Sequence, residues 1–149
     1  MKLDTLARGI GKGVIAGVAG TAAMTVSSTI EAKLRGRQFS TAPADAARKV
    51  LGIREFESEQ AKSRFSDLVH WGYGTSWGVL HGLLRSVGVP SKVATPVHAA
   101  AVWGSATVML PTLGVAPPVY LWGRKEVAID VWHHAVYATA TGIAYKLLD

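Results

Sequence analysis

The chain contains no cysteine. Disulfide frameworks and thiolate metal sites are therefore excluded. Charge is scarce as well. Asp, Glu, Lys and Arg make up 17% of the 149 residues, against about 25% in an average soluble domain. A secretory signal pattern is also missing. The first apolar stretch exceeds the ~7–15 residues of a signal h-region, so it reads as a retained first helix. What charge there is leans basic, with a formal net charge of +6. The basic residues sit between apolar runs, which fits anionic lipid headgroups and argues against a nucleic-acid partner.

Long charge-free intervals decide the class. Residues 13–30, "GVIAGVAGTAAMTVSSTI", carry no charge, and neither do 68–84, "LVHWGYGTSWGVLHGLL". A third interval spans 93–123 and is interrupted at Pro111. The fourth, 127–145, holds only Asp130. A helix crosses a bilayer core with roughly 17–25 residues. Helices of a soluble bundle would instead show a charged stripe every three or four positions. The expectation is an all-α, four-helix transmembrane bundle forming one integral membrane domain over 1–149. Its spans are placed at about 9–31, 67–86, 92–110 and 126–148. The bilayer is its first partner, and a membrane crossed several times is the expected location.

Helix 1 carries a row of small residues at i+4 spacing: Gly9, Gly13, Gly17, Thr21, Thr25 and Thr29. Helix 2 carries another: His70, Gly74, Gly78, Gly82 and Ser86. Lipid gives helices no hydrophobic drive to associate, so small rows that let backbones approach are how such helices pack. Gly13 and Gly17 are expected against Gly74, Gly78 and Gly82. The string "GIGKGVIAG" follows no strand and lacks the Lys-Ser/Thr ending of a phosphate loop.

Between these helices, residues 32–66 form a polar connection. "STAPADAARKVLGI" reads as a short amphipathic helix lying in the membrane interface, with Thr41 as its cap and Pro43 and Asp45 in its first turn. "REFESEQAKSR" reads as solvated surface. Pro111 is expected to end helix 3. "PTLGVAPPVYLWG" follows, irregular at its paired prolines, with Tyr120 and Trp122 at headgroup level. Orientation is weakly marked. Lys2, Arg8, Lys12, Arg85, Lys92 and Lys146 fall on one side, and the 32–66 connection holds most of the remaining basic residues. The positive-inside rule leans toward a cytoplasmic connection.

The stretches "HWGYGTSWGVLHGLL", "AAVWGSATVMLPTLGVAPPVYLWG" and "AIDVWHHAVYATATGIAY" resemble a group of small bacterial membrane proteins. They are similar, more distantly, to the YagU-type inner-membrane proteins. The markers are the "LGVAPPV" turn and the acid-x-x-x-His pair, Asp130 and His134. His70 and His133 lie outside that pattern. The resemblance implies an inner-membrane helical bundle and a link to acid tolerance. It implies no reaction.

Helix 4 opens with titratable groups. Asp130 and His134 are one turn apart and share a face, which Tyr137 and Thr141 continue. His133 is rotated about 100° from it. Ionisable groups within a membrane usually face the bundle interior. Two readings stand for them. One is a polar cluster handling protons or a small solute. The other is packing glue near headgroup depth. His70, His81 and His98 add possible ligand or proton sites, since imidazole binds iron, zinc and copper, although no tight ligand spacing is present. "GTSWG", residues 74–78, matches a nucleophile motif around Ser76 but lacks the sheet that motif requires. A non-enzymatic membrane role on the polar cluster is therefore expected. The alternatives are a structural or assembly subunit, as a homo-oligomer or in a larger complex, and a haem- or metal-binding protein.

Overall fold

A computed structural model describes residues 3–149, so Lys2 lies outside the described residues. Helices account for every regular element there: α1 (Leu3–Arg35), α2 (Ala42–Val50), α3 (Glu59–Ser86), α4 (Ser91–Thr112) and α5 (Arg124–Leu147), with a single 3-10 turn at Val119–Leu121. There is no strand among the described residues.

α1 is the central helix. At a rise of 1.5 Å per residue it is roughly 50 Å long, well beyond the ~30 Å of a bilayer's hydrocarbon core. Its charge is toward the ends, Asp4, Arg8 and Lys12 at one and Glu31, Lys33 and Arg35 at the other. α3 and α5 both run antiparallel to it. Gly9 faces Ser86 and Gly17 faces Thr75, while Lys12 reaches Asp149 and Arg35 reaches Glu126. α4 lies outside, against α5 and α3, and meets α5 where Thr95 abuts Gly142. Both ends of the described chain thus lie at one end of the bundle, and α2 lies at the other.

Two small-residue faces of α1 explain how close this packing is. A Cβ on Gly13 would lie 2.5 Å from the Gly78 carbonyl oxygen, and one on Gly17 would lie 2.5 Å from that of Thr75. A Cβ on Gly78 would lie 2.6 Å from the Gly17 Cα. Gly74 meets the Thr21 side chain, and Gly82 meets Gly9 and Gly13. On the second face, buried Ala16 and Gly20 admit α5, with Gly20 against Tyr137 and Thr141. The Thr21 and Thr25 hydroxyls donate to carbonyls one turn back, Gly17 at 2.8 Å and Thr21 at 2.7 Å. These hydroxyls can therefore sit inside the bundle without unmet hydrogen bonds.

Large apolar side chains point outward. Val14, Ile15, Val18, Val26, Ile30, Val93, Val97, Val108, Trp132 and Ile143 are all exposed. α1 and α4 are each long and apolar enough to cross a membrane. Only 28% and 17% of the residues in their most apolar windows are buried. The interior is built instead from Ala, Gly, Thr, His and Tyr.

Several bounds differ from the sequence reading, α1 among them, which runs Leu3–Arg35 where 9–31 was expected. α3 begins at Glu59, eight residues before the expected start at 67. "EQAKSR" is solvated, yet Glu, Gln, Ala, Lys and Arg are strong helix formers. Ser58 caps it by accepting from the Ala61 N–H at 3.1 Å. Pro111 does not end α4, which runs on to Thr112. The stop is Gly114, in the left-handed region at φ 61°. Val115 N–H donates to Leu110 O at 2.8 Å and Gly114 N–H to Pro111 O at 2.9 Å, a glycine C-cap. Pro111 sits in the last turn, where its missing N–H breaks only one bond. At α2, Thr41 occupies the N-cap but makes no capping bond. Its hydroxyl donates to Asp45 Oδ2 at 2.7 Å instead. Val50 and Leu51 are exposed, and Lys49 Nζ ties α2 to the carbonyls of Leu113 and Gly114 at 2.7 and 2.9 Å.

Candidate functional site

Two histidines, 81 and 98, are fully buried alongside Thr21 and Thr141. His81, on α3, is 1% exposed and His98, on α4, is 0%. The small row that brings α3 against α1 also turns His81 inward. His98 lies on the buried row Ala94, His98, Val102 of α4. Their rings meet edge-on with centroids 5.3 Å apart. Two tyrosines of α5 flank them. Tyr145 stands 5.3 Å from His81, and Tyr137 stands 5.4 Å from His98. The Tyr137 hydroxyl donates to the Gly74 carbonyl at 2.6 Å. These four rings form a continuous column inside the bundle.

Hydrogen bonding assigns one tautomer. His98 Nε2 faces the Trp77 carbonyl at 3.0 Å. A carbonyl only accepts, so Nε2 carries the proton and Nδ1 offers a lone pair. That Nδ1, and both nitrogens of His81, are buried with no hydrogen-bond partner on the protein. Each such group costs about 1–3 kcal/mol. At its outer end the column meets Arg85, whose guanidinium lies 6.0 Å from the Tyr145 ring centre.

The α2 end of the bundle holds the other predicted residues, and the structure divides them. His134 Nδ1 donates to the Asp130 backbone carbonyl at 2.8 Å and lies 3.7 Å from Asp130 Oδ2. The Asp130 carboxylate accepts from Trp103 Nε1 on α4 at 2.8 Å. Its side chain is 35% exposed, against 13% for His134. Tyr137 does not complete this pair, contrary to the sequence expectation. It lies about 10 Å further along the axis and bonds α3. His133 faces the neighbouring α1, where its Nδ1 meets Ser27 Oγ at 3.0 Å and its Nε2 lies 3.7 Å from Glu31 Oε2. Glu31 is also bound by Arg37 and by Arg35, the latter at 2.9 Å, and Arg35 bridges to Glu126 at 2.5 Å. His70 pairs with Thr25 Oγ1 at 2.8 Å. The Thr25 hydroxyl proton serves Thr21 O, so His70 Nε2 donates.

Sequence reasoning grouped His81 and His98 among possible sites but not with each other. The ion-pair set Glu31, Arg35, Arg37 and Glu126, and the triad Lys12, Arg85 and Asp149, were missed. His81 and His98 meet edge to face, and no hydrogen bond joins their rings. No three His, Asp or Glu side chains converge on a metal site among the described residues. Ser76 is exposed in mid-helix with its hydroxyl donating to Tyr73 O at 2.8 Å, with no elbow around it. No protein-family model, curated sequence or solved structure matches the chain.

Proposed function

We propose that the chain is a multi-pass protein of a bacterial inner membrane, with α1, α3, α4 and α5 as its spans, that handles protons through the polar interior of the bundle. The observation that carries this reading is the buried pair His81 and His98 with unpartnered ring nitrogens. Such groups inside an apolar bundle are costly and commonly serve a pathway. Imidazole is suited to the task because one ring takes a proton on one nitrogen and gives it up from the other. Tyr137 and Tyr145 extend the column toward both ends. His134, one turn beyond Tyr137, and Asp130, two turns beyond it, supply an exchangeable site at the α2 end. An acid-tolerance role accords with the resemblance to YagU-type proteins.

The outward apolar surface supports the membrane placement, as does the exposed Val50 and Leu51 face of α2, suited to lying in the interface. A docking subunit is less well supported. Gly13, Gly17, Gly74, Gly78 and Gly82 are occupied by contacts within the chain, so those faces are not free for a partner.

The test is proton flux into liposomes containing the purified chain and a pH-sensitive dye. His81→Phe and His98→Phe keep a planar ring and remove the nitrogens. Each should reduce flux at least tenfold while Ser76→Ala leaves it unchanged. Flux that survives both histidine substitutions refutes the reading.

A further inference from the structure

At the end of the bundle opposite α2, the helices α1, α3 and α5 border a half-open pocket of about 310 Å³. Its charged lining is Arg8, Lys12, Arg85 and Asp149, with Thr5 and Tyr145 beside them. Three cations therefore surround one side-chain carboxylate. That carboxylate is held at two points: Lys12 Nζ donates to Oδ1 at 3.0 Å, and Arg85 Nη2 donates to Oδ2 at 3.1 Å. Arg85 is fixed by a further bond from Nη1 to Val89 O at 2.7 Å. Its Nε–H is buried with no acceptor on the protein.

The donor count exceeds what Asp149 can use. Nε and Nη2 form one edge of a guanidinium, a fork that takes two oxygens of an oxyanion side by side. Asp149 occupies one prong. Both its side-chain oxygens are then engaged, and the second prong is unanswered. Arg8, whose one ion pair is to exposed Asp4, also borders the pocket. As placed, the Asp149 carboxylate accepts from Lys12 and from Arg85 Nη2 and leaves Arg85 Nε and Arg8 unanswered. A tetrahedral phosphate group has enough oxygens to span the Arg85 fork, keep Lys12 and reach Arg8.

We propose that this pocket binds a phosphate-bearing anion, and that Asp149 is an internal occupant which that anion displaces. The site uses neither His81 nor His98, although Arg85 and Tyr145 border both it and the outer end of the ring column. The same phosphate chemistry reaches it either as free phosphate from water or as the headgroup of an anionic phospholipid.

The full chain is placed in phosphatidylcholine nanodiscs and titrated calorimetrically with inorganic phosphate. In parallel, nanodiscs containing phosphatidic acid are used, and retained lipid is read by native mass spectrometry. A free-anion site gives saturable phosphate binding, weakened about tenfold by Lys12→Gln and tightened severalfold by Asp149→Asn. A headgroup site gives no calorimetric response but retains phosphatidic acid, and Lys12→Gln abolishes the retention. Arg8→Gln, at an exposed position, should weaken whichever ligand binds and serves if Lys12→Gln unfolds. His98→Phe should leave binding intact. The proposal is overturned if neither ligand binds, or if binding ignores Lys12→Gln, Arg8→Gln and Asp149→Asn alike.

Discussion

Gly78→Ala adds one methyl group at the tightest point of the α1–α3 crossing. An ideal Cβ there lies 2.6 Å from the Gly17 Cα and 2.8 Å from its amide nitrogen. Favourable carbon contacts lie near 3.5–4.0 Å, so the helices must part by roughly 1 Å. Both obstructing groups are backbone, and no side chain can swing away. Overpacking of this kind costs about 1–3 kcal/mol. Parting the helices also loosens Gly13 against Gly78 and Gly82, which places Gly78→Ala toward the upper end. The control is the same change where there is room. Nothing lies within 4 Å of a Cβ on Gly11 or Gly72, and Gly→Ala inside a helix gains about 0.5–1 kcal/mol. The difference between Gly78→Ala and Gly72→Ala on the same helix should thus reach roughly 2–4 kcal/mol. Reversible unfolding in detergent, followed by circular dichroism, reads it directly. Equal effects of Gly78→Ala and Gly72→Ala would refute the packing argument.

Lys49→Ala removes two hydrogen bonds to the α4 cap, worth about 0.5–1.5 kcal/mol each at most. It should speed proteolytic cleavage in the 36–58 connection while barely moving the global melting temperature, and an unchanged cleavage rate would contradict the tie. Ser76 should resist a fluorophosphonate probe, since its hydroxyl is committed to Tyr73 O, and labelling that vanishes in Ser76→Ala would overturn this. The Lys12 hydrogen bond first, and Arg85 after it, hold the Asp149 carboxyl below its ordinary value. The folded form thus prefers the charged carboxylate, and the tie acts fully above the unfolded-state value of about 3.9. It fades as pH falls through the lower folded value. Asp149→Asn should therefore lose stability relative to the parent at neutral pH, and the gap should close in strong acid.

The helices were legible because each leaves a long interval without charge, and the α1–α3 contact because a small residue recurs every fourth position. The stop of α4 was misread because a proline attracts attention, whereas the left-handed cap at Gly114 does the terminating. The polar interior was harder to read. Tyr137 falls seven residues after Asp130, which puts both on one face of α5. A shared face does not give a shared neighbour. Ten ångströms along a crossing helix exchanges Trp103 of α4 for Gly74 of α3. The pairing of His81 with His98 joins two helices, and no periodicity within either one announces it. One signal was present. Ala94, His98 and Val102 form an i+4 row on α4, and a histidine in a row with a small residue belongs inside.

The buried hydroxyls and the buried histidines answer the same solvent in opposite ways, and the contrast gives a decisive experiment. Thr21, Thr25 and Thr141 each donate to a carbonyl four residues back on their own helix. They are satisfied before any partner helix arrives, so burying them costs little. A histidine side chain has no such recourse at His81, where both ring nitrogens are enclosed without a partner on the protein. If that ring were only filling space, phenylalanine would fill it better. The change retains a planar ring and removes two stranded polar atoms at about 1–3 kcal/mol each. His81→Phe should therefore raise the unfolding free energy of the protein in detergent by roughly 2 kcal/mol or more. The same variant should lose proton flux in liposomes. Gain of stability together with loss of function is the signature of a polar group kept at a structural cost. A His81→Phe protein that is destabilised would mean that the imidazole is bonded within the bundle, and the proton column would lose its foundation.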